Sequence, residues 1–79
     1  MFGRCVVALM LNFASDRDAC LFGCRAIVHL AAANVRNTQR LVAALAPSAV
    51  AGAMLGHPSD REIARYGCGA LLGMSTVTV

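Results

Sequence analysis

The chain has no tryptophan, no lysine, only two prolines and only four aromatic side chains among its 79 residues. Charged residues make up 14% of the sequence, and the net charge of +3 comes from arginines that are scattered along the chain. A nucleic-acid-binding protein usually carries a clustered basic patch, so we expect no nucleic-acid partner. The sequence also lacks a glycine-rich phosphate loop, a nucleophile elbow and a pair of catalytic carboxylates, so no enzyme motif is recognisable.

Long uninterrupted hydrophobic runs are scarce too, although hydrophobic residues make up 58% of the chain. Residues 41–56 are almost wholly apolar, but Pro47 interrupts them, and a membrane-spanning helix needs about 20 strongly apolar residues. Residues 1–14 resemble a short signal peptide. Their Met-Leu pair recurs in mid-chain at positions 54–55, which a removable leader would not require. We therefore expect a cytoplasmic protein, also compatible with the nucleus, and keep a small Ala-rich helical membrane protein as the alternative.

The most informative pattern is an internal repeat with an offset of 44 residues. Residues 15–31 align with residues 59–75: Ser, Asp, Arg, Gly, Cys and Ala recur identically, and Asp/Glu and Phe/Tyr replace each other conservatively. A period in the forties is typical of stacked helical units. The sequence therefore predicts two related all-helical units, with no strand pattern except a short β-prone tail, Thr76 to Val79.

Caps and apolar runs predict five helices, near residues 3–13, 15–32, 35–45, 47–56 and 59–75. Ser15 and Ser59 each precede an acidic residue three positions on, which is the pattern of a capping box. Asn34 can cap the third helix, and Pro47 suits the first turn of the fourth. We expect helices 15–32 and 59–75 to lie side by side and parallel, about 10 Å apart.

One stripe of each long helix is less apolar than the rest, and we expect it to be exposed because its positions are spaced three and four apart. In the first unit the stripe consists of Asp18, Leu21, Arg25 and His29, and in the second of Glu62, Arg65, Gly69 and Gly73.

The cysteines do not form a recognisable metal site. Cys20 and Cys24 lie one turn apart and His29 follows, but zinc sites usually have a second close pair of ligands, which is absent here. Cys24 and Cys68 occupy the same position in the two units, so we expect both to be small buried apolar residues. We predict no metal and no cofactor.

The run from His57-Pro58-Ser59-Asp60 to Tyr66-Gly67-Cys68-Gly69-Ala70-Leu71 resembles the armadillo repeat, with the HEAT repeat as the nearest alternative. Residues 34–75 resemble one complete repeat, residues 1–33 resemble the second and third helices of a preceding repeat, and residues 76–79 form a tail. The resemblance implies an all-α, right-handed armadillo-type superhelix, here a solenoid fragment. It also implies that the third helices line a concave groove that holds extended peptides or partner proteins.

In importin-α-like armadillo proteins a Trp and an Asn on the third helix grip the bound chain. The matching positions here hold Arg25 and His29 in the first unit, and Gly69 and Gly73 in the second, so that pair is absent. Glycine costs about 1 kcal/mol in a helix interior relative to alanine. Two glycines on a face predicted to be exposed therefore indicate that a ligand comes close to the backbone.

Together these patterns predict a non-enzymatic protein-interaction scaffold whose groove binds an extended or acidic peptide or a partner protein. The expected groove residues are Arg25, His29, Arg65, Gly69 and Gly73. An enzyme is the weaker alternative. Its possible nucleophile–base set is Cys20, Cys24 and His29 with Asp16 or Asp18, but Asp16 lies about 20 Å from His29 along one helix.

Fewer than two repeats leave both ends of a helical stack uncovered. We therefore expect apolar surface at Phe2 and Val6 on one end, and at Leu71, Leu72 and Met74 on the other, and a chain that is weakly folded or self-associates through these ends.

Overall fold

The computed structural model describes residues 2–75, with side chains from Arg4 onward. This part of the chain consists of five helices and no strand: α1 (Phe2–Asn12), α2 (Arg17–Ala33), α3 (Val35–Ala43), α4 (Ala46–Gly56) and α5 (Arg61–Ser75). The all-α prediction is confirmed, and every helix lies within two residues of its expected bounds. The predicted tail, residues 76–79, lies outside the described residues, as does the side chain of Phe2.

The long helices α2 and α5 begin with the same aspartate cap. The Asp16 carboxylate accepts hydrogen bonds from the backbone N–H groups two and three residues further on, at 3.0 and 3.2 Å. Asp60 does the same at 3.1 and 3.1 Å. The predicted caps at Ser15 and Ser59 are therefore wrong by one residue, because the carboxylate of the following aspartate reaches the free N–H groups of the first turn.

The connection from α2 to α4 is set by three residues. The Asn34 side chain accepts from the backbone N–H of Asn37 at 2.8 Å, which confirms the predicted cap of α3. Thr38 is buried, and its hydroxyl donates to the backbone carbonyl of Ala31 at 3.1 Å. Helix α3 ends two residues earlier than expected, because Leu45 adopts the left-handed conformation with φ 66°.

Helices α2 and α5 lie side by side and parallel, as predicted. Near the helix starts, Arg17 contacts Glu62, and near the helix ends, Gly73 faces Ala31. Helices α1, α3 and α4 pack against this pair. The largest fully buried side chains of the common core are Ile27, Leu41, Ile63, Met74, Val50, Thr38, Cys20 and Cys24.

The sequence repeat corresponds to a repeated contact between a methionine and a glycine. A Cβ atom added to Gly23 would lie 2.4 Å from Cγ of Met10, and one added to Gly67 would lie 2.7 Å from Cγ of Met54. Each glycine therefore lets the methionine of the preceding helix lie directly on the backbone of the long helix. Both pairs are related by the same 44-residue offset, so the two units are related in packing as well as in sequence.

The burial of several side chains differs from the prediction, because the two units have different neighbours. Leu21 is buried although we expected it on the exposed stripe, and Cys68 is exposed although its equivalent Cys24 is buried. The reason is that α5 covers one side of α2, whereas no helix in residues 2–75 covers the same side of α5. At the second end Leu72 is exposed as expected, but Met74 is only 2% exposed, since it shares a stripe with the buried Ile63.

Among the helices of residues 2–75, none has both the length and the hydropathy that crossing a bilayer requires.

Candidate interaction surface

One face of α2 packs on α5, and the residues of this face can be compared with the equivalent residues of α5. Val28 and Ala31 contact α5 directly, and Arg17 forms ion pairs with its first turn. Leu21 and Cys24 continue the same stripe, since the five positions are spaced four, three, four and three residues apart.

The equivalent stripe of α5 is open. Its five positions are Arg61, Arg65, Cys68, Leu72 and Ser75, and all five are exposed. We call this stripe the α5 outer face. Leu72 is 73% exposed, whereas its equivalent Val28 is half-buried against α5.

The first unit has a corresponding surface on α2. The positions of the second unit that meet α2 include Asp60, Glu62, Tyr66, Gly69 and Gly73. The equivalents in the first unit are Asp16, Asp18, Phe22, Arg25 and His29, and all are exposed. We call this set the α2 outer face.

Arg17 is the main polar link between the two units. Its guanidinium donates to Asp60 through Nε and to Glu62 through Nη2, the latter at 2.8 Å. The hydrogen bond from Arg17 holds the pKa of Asp60 below its ordinary value, with a further contribution from the backbone N–H of Ile63. Glu62 and Asp60 are therefore already engaged within the chain.

Arg25 lies on the surface between two equivalent aromatic rings. Its Cζ atom is 5.4 Å from the centroid of Tyr66 in α5 and 5.8 Å from the centroid of Phe22 in α2. Both distances are within the range of cation–π attraction. His29, one turn further along α2, is exposed.

Gly69 and Gly73 lie at the seam between α2 and α5. A Cβ atom on Gly69 would be 3.6 Å from Cγ2 of Val28, and one on Gly73 would be 3.4 Å from Cβ of Ala31. Both glycines are half-buried, so helix packing explains them at least in part. They therefore do not lie on the open face that the sequence predicts.

The structure therefore places the five predicted site residues on three neighbouring surfaces. Arg25 and His29 belong to the α2 outer face, Gly69 and Gly73 to the seam, and Arg65 to the α5 outer face. No contact joins Arg65 to the other four among the described interactions, so their common role in a groove stays a prediction.

A broad, open depression on the α5 outer face contains residues that the sequence argument missed. It has a volume of about 860 Å³ and is lined by Arg61, Glu62, Ala64, Arg65 and Cys68. The signal that could have identified Arg61 was its equivalence to Arg17, which forms ion pairs with the second unit. The depression offers two guanidinium groups beside exposed apolar surface.

The buried thiols are poor nucleophiles. Burial raises the pKa of Cys24 to about 11, with a smaller contribution from nearby Cys20. Burial also raises the pKa of Cys20, followed by the effect of the Asp16 charge. The Cys20 thiol lies 3.3 Å from the carbonyl oxygen of Ala14, to which it donates. Both thiols therefore stay protonated at neutral pH.

Residues 2–75 contain no cluster of three or more histidine, cysteine or acidic side chains placed to hold a metal ion. No protein-family model, no curated protein and no solved structure matches the chain.

Proposed function

We propose that the chain is a non-enzymatic, armadillo-like interaction module that binds an acidic, extended segment of a partner protein along α2 and α5. The observation that supports this most directly is the α5 outer face. Its five positions are exposed, whereas the equivalent positions of α2 lie against the second unit. Within residues 2–75, a surface that serves as a helix–helix contact in the first unit has no helix against it in the second.

The charges of the α5 outer face favour an acidic partner. Arg61 and Arg65 line the depression, and the one carboxylate that lines it, Glu62, is held by Arg17. Guanidinium groups bind carboxylates in bidentate geometry, which gives orientation as well as attraction. Cys68 and Leu72 provide apolar contact for the partner's other side chains.

The predicted groove residues extend this surface across the seam. Arg25 and His29 are exposed on α2 beside the seam, and the half-buried Gly69 and Gly73 add little bulk on the α5 side, so the peptide would lie over the seam and not between the packed helices. A peptide of about eight residues in extended conformation would span about 26 Å, which is comparable with the length of α5.

The four cysteines are free. Free thiols suit a reducing compartment, and we propose that the module acts in the cytoplasm or nucleus.

The test is binding of a fluorescent eight-residue peptide of alternating Glu and Leu, compared with a peptide in which Gln replaces every Glu. Fluorescence anisotropy should show that the Glu peptide binds more tightly at low salt and weakens as salt rises. Arg65→Glu should lower its affinity about tenfold, which corresponds to about 1.4 kcal/mol.

Arg36→Glu is the matched control, because Arg36 is exposed on α3, outside both outer faces, and the charge change is the same. At physiological ionic strength it should change affinity less than about twofold, since distant surface charges are then largely screened. Equal binding of both peptides, or equal effects of Arg65→Glu and Arg36→Glu, would refute the proposed site.

A further inference from the structure

We infer that the α5 outer face binds the α2 outer face of a second copy of this chain, head to tail, with Arg61 in the role that Arg17 has within the chain. This inference rests on the proposed function, because it names a partner for the same α5 face. The α2–α5 contact within the chain is the template for the contact between copies.

The template begins with the ion pairs at the helix starts. Within the chain, Arg17 of the first unit donates to Asp60 and Glu62 of the second. The residue of the second unit that is equivalent to Arg17 is Arg61, which is exposed on α5 and would be the donor in a contact between copies. The residues of the first unit that are equivalent to Asp60 and Glu62 are Asp16 and Asp18. Both are exposed at the start of α2 and would be the acceptors.

These two groups are complementary in charge, and both are exposed. The Asp18 side chain is 73% exposed, and its contact with Arg17 is long, at 3.4 Å, so it can accept from a second arginine. Among the described ion pairs, none joins Arg61 to Asp18 within one chain. A second copy can join them by repeating the step that relates the two units.

Apolar surface accompanies the charges on both outer faces. Phe22 is 58% exposed on the α2 outer face, and Leu72 is 73% exposed on the α5 outer face. Beside Phe22 is a second, largely apolar hollow of about 220 Å³, lined by Val6, Leu9, Ala19, Phe22, Gly23 and Ala26. A second copy would cover this surface, which is otherwise exposed to water.

One difference from the α2–α5 contact predicts that the contact between copies is weaker than the contact within the chain. Within the chain, Val28 and Ala31 pack on the two seam glycines, but the equivalents of those glycines on the α2 outer face are Arg25 and His29. These larger side chains keep the second halves of the helices apart. The contact between copies is therefore centred on the first two turns, where the charges lie, and is weak and sensitive to salt.

The geometry also determines what kind of assembly forms. The two faces are different, so the contact is heterologous, and each copy that binds leaves a new outer face free. Association should therefore continue with rising protein concentration instead of stopping at a dimer.

Sedimentation velocity of the full chain at low salt tests this inference. The wild-type sedimentation coefficient should rise with concentration, and salt should lower it. Arg61→Asp and Asp18→Arg should each remain monomeric, because like charges then meet. An equimolar mixture of the two variants should associate again, since both alternating contacts pair opposite charges. Arg36→Asp, with the same charge change on α3, should associate as the wild type does.

A second pair of substitutions tests the predicted separation of the helices. Arg25→Ala with His29→Ala should strengthen association at least threefold, because it removes the bulk that has no counterpart at the seam. Circular dichroism should show native helicity for every variant. Should Arg61→Asp lose helicity, Arg61→Gln, which removes the charge without reversing it, takes its place.

The inference is overturned if the wild type is monomeric at all concentrations, if the charge-swapped mixture stays monomeric, or if Arg36→Asp weakens association equally. It is also overturned if Asp18→Arg leaves association unchanged, since the α2 outer face would then take no part in the contact and the copies would meet through their α5 faces. A monomeric wild type that still binds the acidic peptide through Arg65 would refute self-association and leave the proposed function standing. Loss of peptide binding with self-association intact would refute the peptide site alone.

Discussion

Replacing Gly23 with alanine should destabilise the protein, although alanine is the better helix former. The added Cβ would lie 2.4 Å from Cγ and 2.6 Å from Sδ of Met10. Met10 is only 2% exposed, so its Cγ cannot move away without displacing the core. Overpacking of this kind costs about 1–3 kcal/mol, and the higher helix propensity of alanine returns about 1 kcal/mol. We expect a net loss of about 1 kcal/mol.

Gly52→Ala is the matched control, because Gly52 is exposed in α4 and, apart from its own helix backbone, nothing in the described part of the chain lies within 4 Å of an added Cβ. This change should stabilise the protein by about 1 kcal/mol, the propensity difference alone. Thermal unfolding followed by circular dichroism measures both variants. A difference of about 2 kcal/mol between them corresponds to melting temperatures about 8–16 °C apart in a domain of this size.

A double-mutant cycle with Met10→Ala separates the steric effect from other causes. If the alanine at position 23 collides with Met10, truncating Met10 should cost less in the Gly23→Ala background than in the wild type, with a coupling of at least about 1 kcal/mol. Stabilisation by Gly23→Ala equal to that by Gly52→Ala, or strict additivity in the cycle, would show that the Met10–Gly23 contact is not tight.

Three further predictions follow from the caps, the turns and the thiols. The pKa of Asp60 is lowered from 3.8, so its stabilising effect is present above that pH and lost as the pH falls through the lower folded value. Melting temperatures measured from pH 7 to 2 should therefore fall on acidification below about pH 4, and less steeply in Asp60→Asn, which can still cap the helix but cannot form the ion pair with Arg17. Leu45→Gly should raise the unfolding free energy by about 1 kcal/mol, whereas Leu45→Ala should not, because only glycine removes the cost of the left-handed conformation. Iodoacetamide should label Cys5 and Cys68 in the native protein and the other two cysteines only in denaturant, as read by mass spectrometry.

The features that the sequence could predict are those that depend on local chemistry and on the repeat. Five helices and the parallel pairing of the two long ones followed from apolar runs and the 44-residue offset. The cap position was missed because Ser15 and Asp16 are both good capping residues, and sequence alone does not say which one reaches the free N–H groups.

Exposure could not be predicted from repeat equivalence. Cys24 and Cys68 occupy the same repeat position and each follows a glycine, but Cys24 is buried and Cys68 is exposed. The seam was missed for a related reason. The sequence shows that Gly69 and Gly73 replace Arg25 and His29, but it does not show which of the two pairs has a helix against it.

The two methionine–glycine contacts should differ in their sensitivity to oxidation. Met10 is buried, whereas Met54 is half-buried, so peroxide should convert Met54 to its sulfoxide first. The added oxygen is polar, and the thioether lies against the α5 backbone at Gly67, where there is no spare volume. Oxidation of one side chain would thus push α4 and α5 apart. Since α5 carries the proposed binding face, an oxidised methionine on α4 would weaken partner binding without touching the partner, and enzymatic reduction of the sulfoxide would restore it.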